Sequence, residues 1–107
     1  MSDYSYIGGP MEQSSIVSKT LAGLFKVFGD DTRVKILISL AEGDKCVSEI
    51  VSAINVSQSA VSHQLKLLKE SKLVKSQKEG RVITYSLADS HVYTIINMGL
   101  EHIREPE

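Results

Sequence analysis

Two short amphipathic segments joined by a two-residue turn, a basic stretch between two β-rich runs, and an apolar-periodic segment near either end predict a mainly α domain of the α+β class with one small β-hairpin. The paired segments are Val47 to Ile54 and Ser57 to Leu68. In the second, Val61, Leu65 and Leu68 recur at i, i+4 and i+7 as a narrow apolar stripe, while Gln58, Ser59, Ser62, His63 and Lys66 fall outside it. Ser57 is a good N-cap, and Asn55-Val56 leaves room only for a tight turn in which Asn tolerates a left-handed backbone. Two helices joined this way form a helix-turn-helix, whose second helix lies in the DNA major groove, although a helical hairpin inside an ordinary bundle has the same spacing. A hairpin directly after it completes a winged helix-turn-helix.

At 107 residues the chain reads as one domain, small enough that a second copy would help it bury an adequate core. We divide it into a flexible arm at 1–10 and the winged domain at 11–107. The formal net charge of −1 gives no global sign of nucleic-acid binding, but the distribution does. Six of the twelve Lys and Arg lie between Lys66 and Arg81, against only Glu70 and Glu79, a local charge of +4 that suits phosphates and that a solvated helix face would also show. No stretch approaches the roughly 20 apolar residues of a membrane span, the N-terminus lacks the basic and apolar regions of a secretory signal, and a single cysteine agrees with a reducing compartment. These features lead us to expect a cytoplasmic protein without a membrane partner.

From about Met11 to Phe28, Ile16, Val17, Leu21, Leu24, Phe25 and Phe28 follow a helical period that Gly29 ends, giving a scaffold or dimer surface. Asp30 and Asp31 offer caps for a helix through Thr32 to Leu40, and Arg33 in its first turn is placed to pair with either carboxylate or to touch a phosphate. The β-rich runs Leu73 to Gln77 and Val82 to Leu87 flank Lys78-Glu79-Gly80-Arg81, which puts two bases at the hairpin tip. The final segment, Asp89 to about Arg104, is helical in period and follows the wing, so its expected role is dimerisation together with the N-terminal helix.

That last segment also carries Asp89, His91, His102 and Glu105, ligand types suited to zinc. His91 and His102 are eleven residues apart and differ by only about 20° around a helix, but lie about 16 Å apart along its axis. One zinc, with bonds of about 2 Å, cannot reach both. An antiparallel second copy closes the gap, setting Asp89 and His91 of one chain against His102 and Glu105 of the other as two symmetric sites; surface histidines with ordinary terminal carboxylates would look the same. Cobalt and nickel are also compatible with such ligands. Cys46 lacks a neighbouring soft ligand, since Ser48 stands two residues on, and reads as a small buried hydrophobe. No nucleophile has both a base and an orienter, and four protein ligands would leave a metal no open position, so neither an enzyme nor a small-molecule substrate is expected.

The runs F-G-D-D-T-R-V-K-I-L, K-C-V-S-E-I and S-Q-S-A-V-S-H-Q-L-K-L-L, the wing, and a closing D-S-H…H-I-R-E resemble the ArsR/SmtB-type winged-helix metal-sensing repressors from about Leu21 to Glu105. The resemblance implies a homodimeric repressor that binds double-stranded operator DNA when metal-free and leaves it when a cytosolic metal rises. It is similar to a zinc-sensing subgroup whose Asp, His, later His and final His or Glu fall here on Asp89, His91, His102 and Glu105. DNA contacts are expected from Ser57, Gln58, Ser59, Ser62, His63, Lys66, Lys78 and Arg81. The family's cadmium/lead branch uses a Cys-X-Cys pair that Cys46 and Ser48 do not provide. The rival expectation is a family member that senses another signal, such as oxidation at Cys46.

Overall fold

The computed structural model describes residues 14–106. The expected arm at 1–10 and the expected helix start at Met11 lie outside the described residues. In chain order the elements are α1 (Ser14–Phe28), α2 (Asp31–Ala41), β1 (Lys45–Cys46), α3 (Val47–Ile54), α4 (Gln58–Glu70), β2 (Val74–Glu79), β3 (Val82–Leu87) and α5 (Ser90–Arg104). The expected winged helix-turn-helix is present, with α3 and α4 as its two helices and β2 and β3 as its wing.

Local chemistry sets the element boundaries. The Asp30 carboxylate accepts from the Arg33 backbone N–H at 3.0 Å, and the Ser57 hydroxyl accepts from Ala60 N–H at 3.2 Å, so α2 and α4 both start on side-chain caps. Asn55 ends α3 in the left-handed region at φ 57°, which turns the chain directly into α4. Lys72 plays the same part after α4 at φ 63°, and Leu73 N–H reaches back to Leu68 carbonyl at 2.9 Å to satisfy a carbonyl of the last turn.

The core is built from one stripe of each central helix. Ile36, Leu37 and Leu40 of α2, Ile50 of α3, and Val61, Leu65 and Leu68 of α4 close against Leu73, Val74, Val92 and Ile96. The stripe Val61, Leu65 and Leu68 is thus fully inside, which forces the polar side of α4 outward.

Two features depart from the expectation. The sheet has three strands in the order β1-β3-β2, because Lys45 and Cys46 pair antiparallel with Tyr85 and Thr84. A two-residue strand carries no alternation that a sequence can display. The wing strands also run further than expected, with Lys78 opposite Ile83 and Glu79 opposite Val82, so only Gly80 and Arg81 form the turn. Gly80 sits at φ 63°, as the first position of a two-residue hairpin turn requires. Lys78 therefore stands on the strand below the tip, and Arg81 alone supplies a base in the turn itself.

The two terminal helices leave apolar surface outside. Ile16, Leu21 and Phe25 on α1 and Met98 and Ile103 on α5 are each about half or more exposed. An apolar groove between α1, α2 and α5 is lined by Phe25, Phe28, Ile38, Ile95, Leu100 and Ile103. Contiguous apolar surface of this kind marks an interaction site.

Candidate nucleic-acid interface and metal-ligand pairs

The polar side of α4 is an exposed face, joined to the wing where Lys69 meets Ser76 on β2. Ser57, Gln58, Ser59, Ser62, His63 and Lys66 are all exposed along the helix, and Lys78 and Arg81 are exposed on the wing. Ser57 accepts from Ala60 N–H as the cap of α4 and lies 3.4 Å from the Ser59 hydroxyl, so a phosphate would compete with Ser59 for its proton. The early turns of α4 offer amide, hydroxyl and imidazole groups, the types that read base edges, while the bases flank them.

Two contacts that spacing could not reveal hold this face in place. Lys69 donates from Nζ to the Ser76 hydroxyl at 2.7 Å, tying the second half of α4 to β2 of the wing. One lysine of the basic run thereby has an intrachain partner while remaining exposed. Arg33 departs from its expected pairing with Asp30 or Asp31. Asp30 accepts from the Arg33 backbone, and Asp31 pairs with Lys35 at 3.2 Å one turn on. The guanidinium instead donates from Nε to Val27 carbonyl at 2.8 Å and from Nη1 to Gln64 Oε1 at 3.1 Å.

The four metal-ligand candidates occupy the two ends of α5 in two pairs. Asp89 Oδ1 lies 3.5 Å from His91 Nδ1 at the start of the helix, and His102 Nδ1 lies 3.5 Å from Glu105 Oε1 at its end. Side-chain exposure runs from 55% for Asp89 to 88% for His91, so all four reach solvent. Among the described residues no three His, Cys, Asp or Glu side chains converge within one chain. Asp89 is also the N-cap of α5, its Oδ1 accepting from His91 N–H at 2.9 Å and Val92 N–H at 3.3 Å. Capping holds this carboxylate beside His91 while its Oδ2 takes no part in those bonds. Each pair is a two-donor N/O chelate, half of a four-ligand zinc shell, so the residues present fit the ion provided that a second chain supplies the other half.

Cys46 is the N-cap of α3, half-buried, with Sγ 3.3 Å from Ser48 Oγ. Its backbone N–H donates to Glu49 Oε1 at 2.9 Å, and this bond holds the Glu49 carboxyl below the usual carboxylate range.

The sequence has recognisable kin. Residues 30–76 match the family described as bacterial regulatory protein, arsR family. Over 90 residues the chain is 37% identical to a protein named transcriptional repressor SmtB homolog from Synechocystis, covering 84% of this chain and 68% of that one. Over 86 residues it is 42% identical to a protein named cadmium resistance transcriptional regulatory protein CadC homolog from Staphylococcus aureus, covering 79% of this chain and 71% of that one. The fold superposes with a TM-score of 0.79 on reduced HlyU from Vibrio cholerae, at 26% identity, covering 89% of this chain and all of the other.

Proposed function

Because this chain belongs to the ArsR/SmtB family of transcriptional repressors, which are DNA-binding regulators and not enzymes, we propose that it is a cytoplasmic homodimer that holds operator DNA when metal-free and releases it on binding zinc. The observation that carries the metal reading is the division of Asp89, His91, His102 and Glu105 into two chelating pairs at opposite ends of one helix. Each pair is incomplete alone, and the exposed apolar surface of α1 and α5 provides the means of bringing a second copy alongside. Asp89 and His91 of one protomer, with His102 and Glu105 of the partner subunit, would hold the ion. When bound, zinc supplies a four-ligand cross-link between the protomers.

The chain's own residues divide the remaining work. Gln58, Ser59, Ser62 and His63 read bases from α4; Ser57, Lys66, Lys78 and Arg81 hold phosphates. The buried stripe of α4 fixes the reader to the core that α5 also closes through Val92 and Ile96, so a restraint on paired α5 helices is felt as a restraint on the spacing of the two readers.

The test is a linkage measurement. Zinc should weaken operator binding by about 5- to 150-fold, and operator should weaken zinc binding by the same factor. Tighter or unchanged operator affinity with zinc would reject the derepressor reading. Cobalt and nickel titrated in parallel rank the metals. Cys46→Ser should keep the response, and loss of response in that variant would move the sensor to the thiol.

A further inference from the structure

Arg33 stands where three elements meet. Its backbone lies in the first turn of α2, its Nε donates to Val27 carbonyl and its Nη2 approaches Lys26 carbonyl at 3.5 Å in the last turn of α1, and its Nη1 donates to Gln64 on α4. Both carbonyls belong to the last turn of α1: that of Lys26 also accepts from Gly29 N–H at 3.1 Å, and that of Val27 takes the shorter bond from the guanidinium. α1 rests on α2 and, among the described residues, makes no comparable packing against α4. Between α1 and α4 runs an open cleft lined by Gly23, Lys26, Val27, Arg33, Leu67 and Ser71. The guanidinium is the polar strut across that cleft.

Gln64 sits about 160° around α4 from Lys66 and is half-buried, with its Oε1 accepting from Arg33 at 3.1 Å. Its amide therefore takes its partner within the protein. A guanidinium is a flat, rigid fork, so donors aimed at Val27 and Gln64 together define both a distance and an angle between the two helices. Displacing α4 by about 1 Å carries a bond of this length out of hydrogen-bonding range.

We propose that Arg33 is a positioning residue that fixes the reading helix relative to α1, and thereby determines which spacing of operator half-sites the dimer accepts. The inference rests on the dimeric operator-binding reading given above. In a two-fold dimer the separation and tilt of the readers must match half-sites about one helical turn apart. Changing that spacing by two base pairs rotates one half-site by about 70° and shifts it by about 7 Å. A stiff dimer rejects the altered site, whereas a dimer whose readers pivot tolerates it.

The experiment uses the full chain and an operator selected by the wild-type protein from random duplex DNA, then re-synthesised with its half-sites moved by one or two base pairs in either direction. Wild-type protein should bind the native spacing at least tenfold more tightly than the two-base-pair variants. Gln64→Met and Arg33→Met should reduce that preference to below threefold, and Gln64→Glu, whose carboxylate accepts from the same guanidinium, should restore it. The preference is a ratio, so a mere loss of stability that lowers affinity for all sites alike leaves it unmoved. Retention of the wild-type preference by both Met variants, or failure of Gln64→Glu to restore it, overturns the role of Arg33 alone. Absence of any spacing preference in the wild-type protein overturns the dimeric operator reading and the strut with it. Should Arg33→Met not fold, Gln64→Met removes a single bond at a half-buried site and carries the test.

Discussion

Mixing two defective proteins should regenerate one metal site. The pairs Asp89/His91 and His102/Glu105 stand at the two ends of α5, and eleven residues of helix separate the histidines by about 16 Å. A zinc ion with bonds of about 2 Å spans roughly 4 Å between ligands, so the helix is about four times too long for both histidines to serve one ion. If each ion is shared across the dimer, His91→Ala damages both sites of a homodimer, and so does His102→Ala. In a heterodimer of the two variants, one site lacks both histidines. The other takes Asp89 and His91 from the His102→Ala chain and His102 and Glu105 from the His91→Ala chain, and is whole. High-affinity zinc stoichiometry should therefore be two per wild-type dimer, none for either homodimeric variant and one for the purified heterodimer. Equilibrium competition with a chromogenic chelator near neutral pH measures this. No restored site in the heterodimer would refute the shared arrangement, and tight zinc binding by a monomer would show that α5 does not hold the ligands apart.

Two further outcomes follow from the interface and the caps. Gln58→Ala or Ser59→Ala should narrow the difference between operator and unrelated DNA, whereas Lys78→Met or Arg81→Met should weaken both alike and reduce the salt-dependence slope by about one unit each; titrations at several salt concentrations check this, and an unchanged slope would remove those bases from the phosphate contacts. Glu49 has its carboxyl lowered by the hydrogen bond from Cys46 N–H, so its contribution to stability is complete above the ordinary glutamate value and disappears as pH falls through the lowered one. Glu49→Gln should flatten that acid limb in thermal melts taken across the range, and a limb identical to wild type would show that the cap carries no proton linkage.

Much of the helix-turn-helix was legible because its information is local. The period of Val61, Leu65 and Leu68, the Ser57 cap and the left-handed Asn55 each depend on residues within a turn or two, and the same short-range rule divides Asp89, His91, His102 and Glu105 into two pairs. Periodicity states which side of an element is buried; it does not state what that side meets. The pairing of Lys45 and Cys46 with Tyr85 and Thr84 joins strands some forty residues apart, and a two-residue strand has no period to betray it. Gly80 and Arg81 became the whole wing turn because cross-strand hydrogen bonding carried β2 through Glu79, a gain the turn residues alone do not disclose. Arg33 shows the limit most plainly. Its nearest carboxylates in sequence, Asp30 and Asp31, are engaged by the Arg33 backbone and Lys35, and packing of α1, α2 and α4 offers its guanidinium Val27 and a glutamine 31 residues away. Local composition determined the elements and their faces, whereas the meeting of three helices at one side chain was decided only when burial of the shared core brought them together.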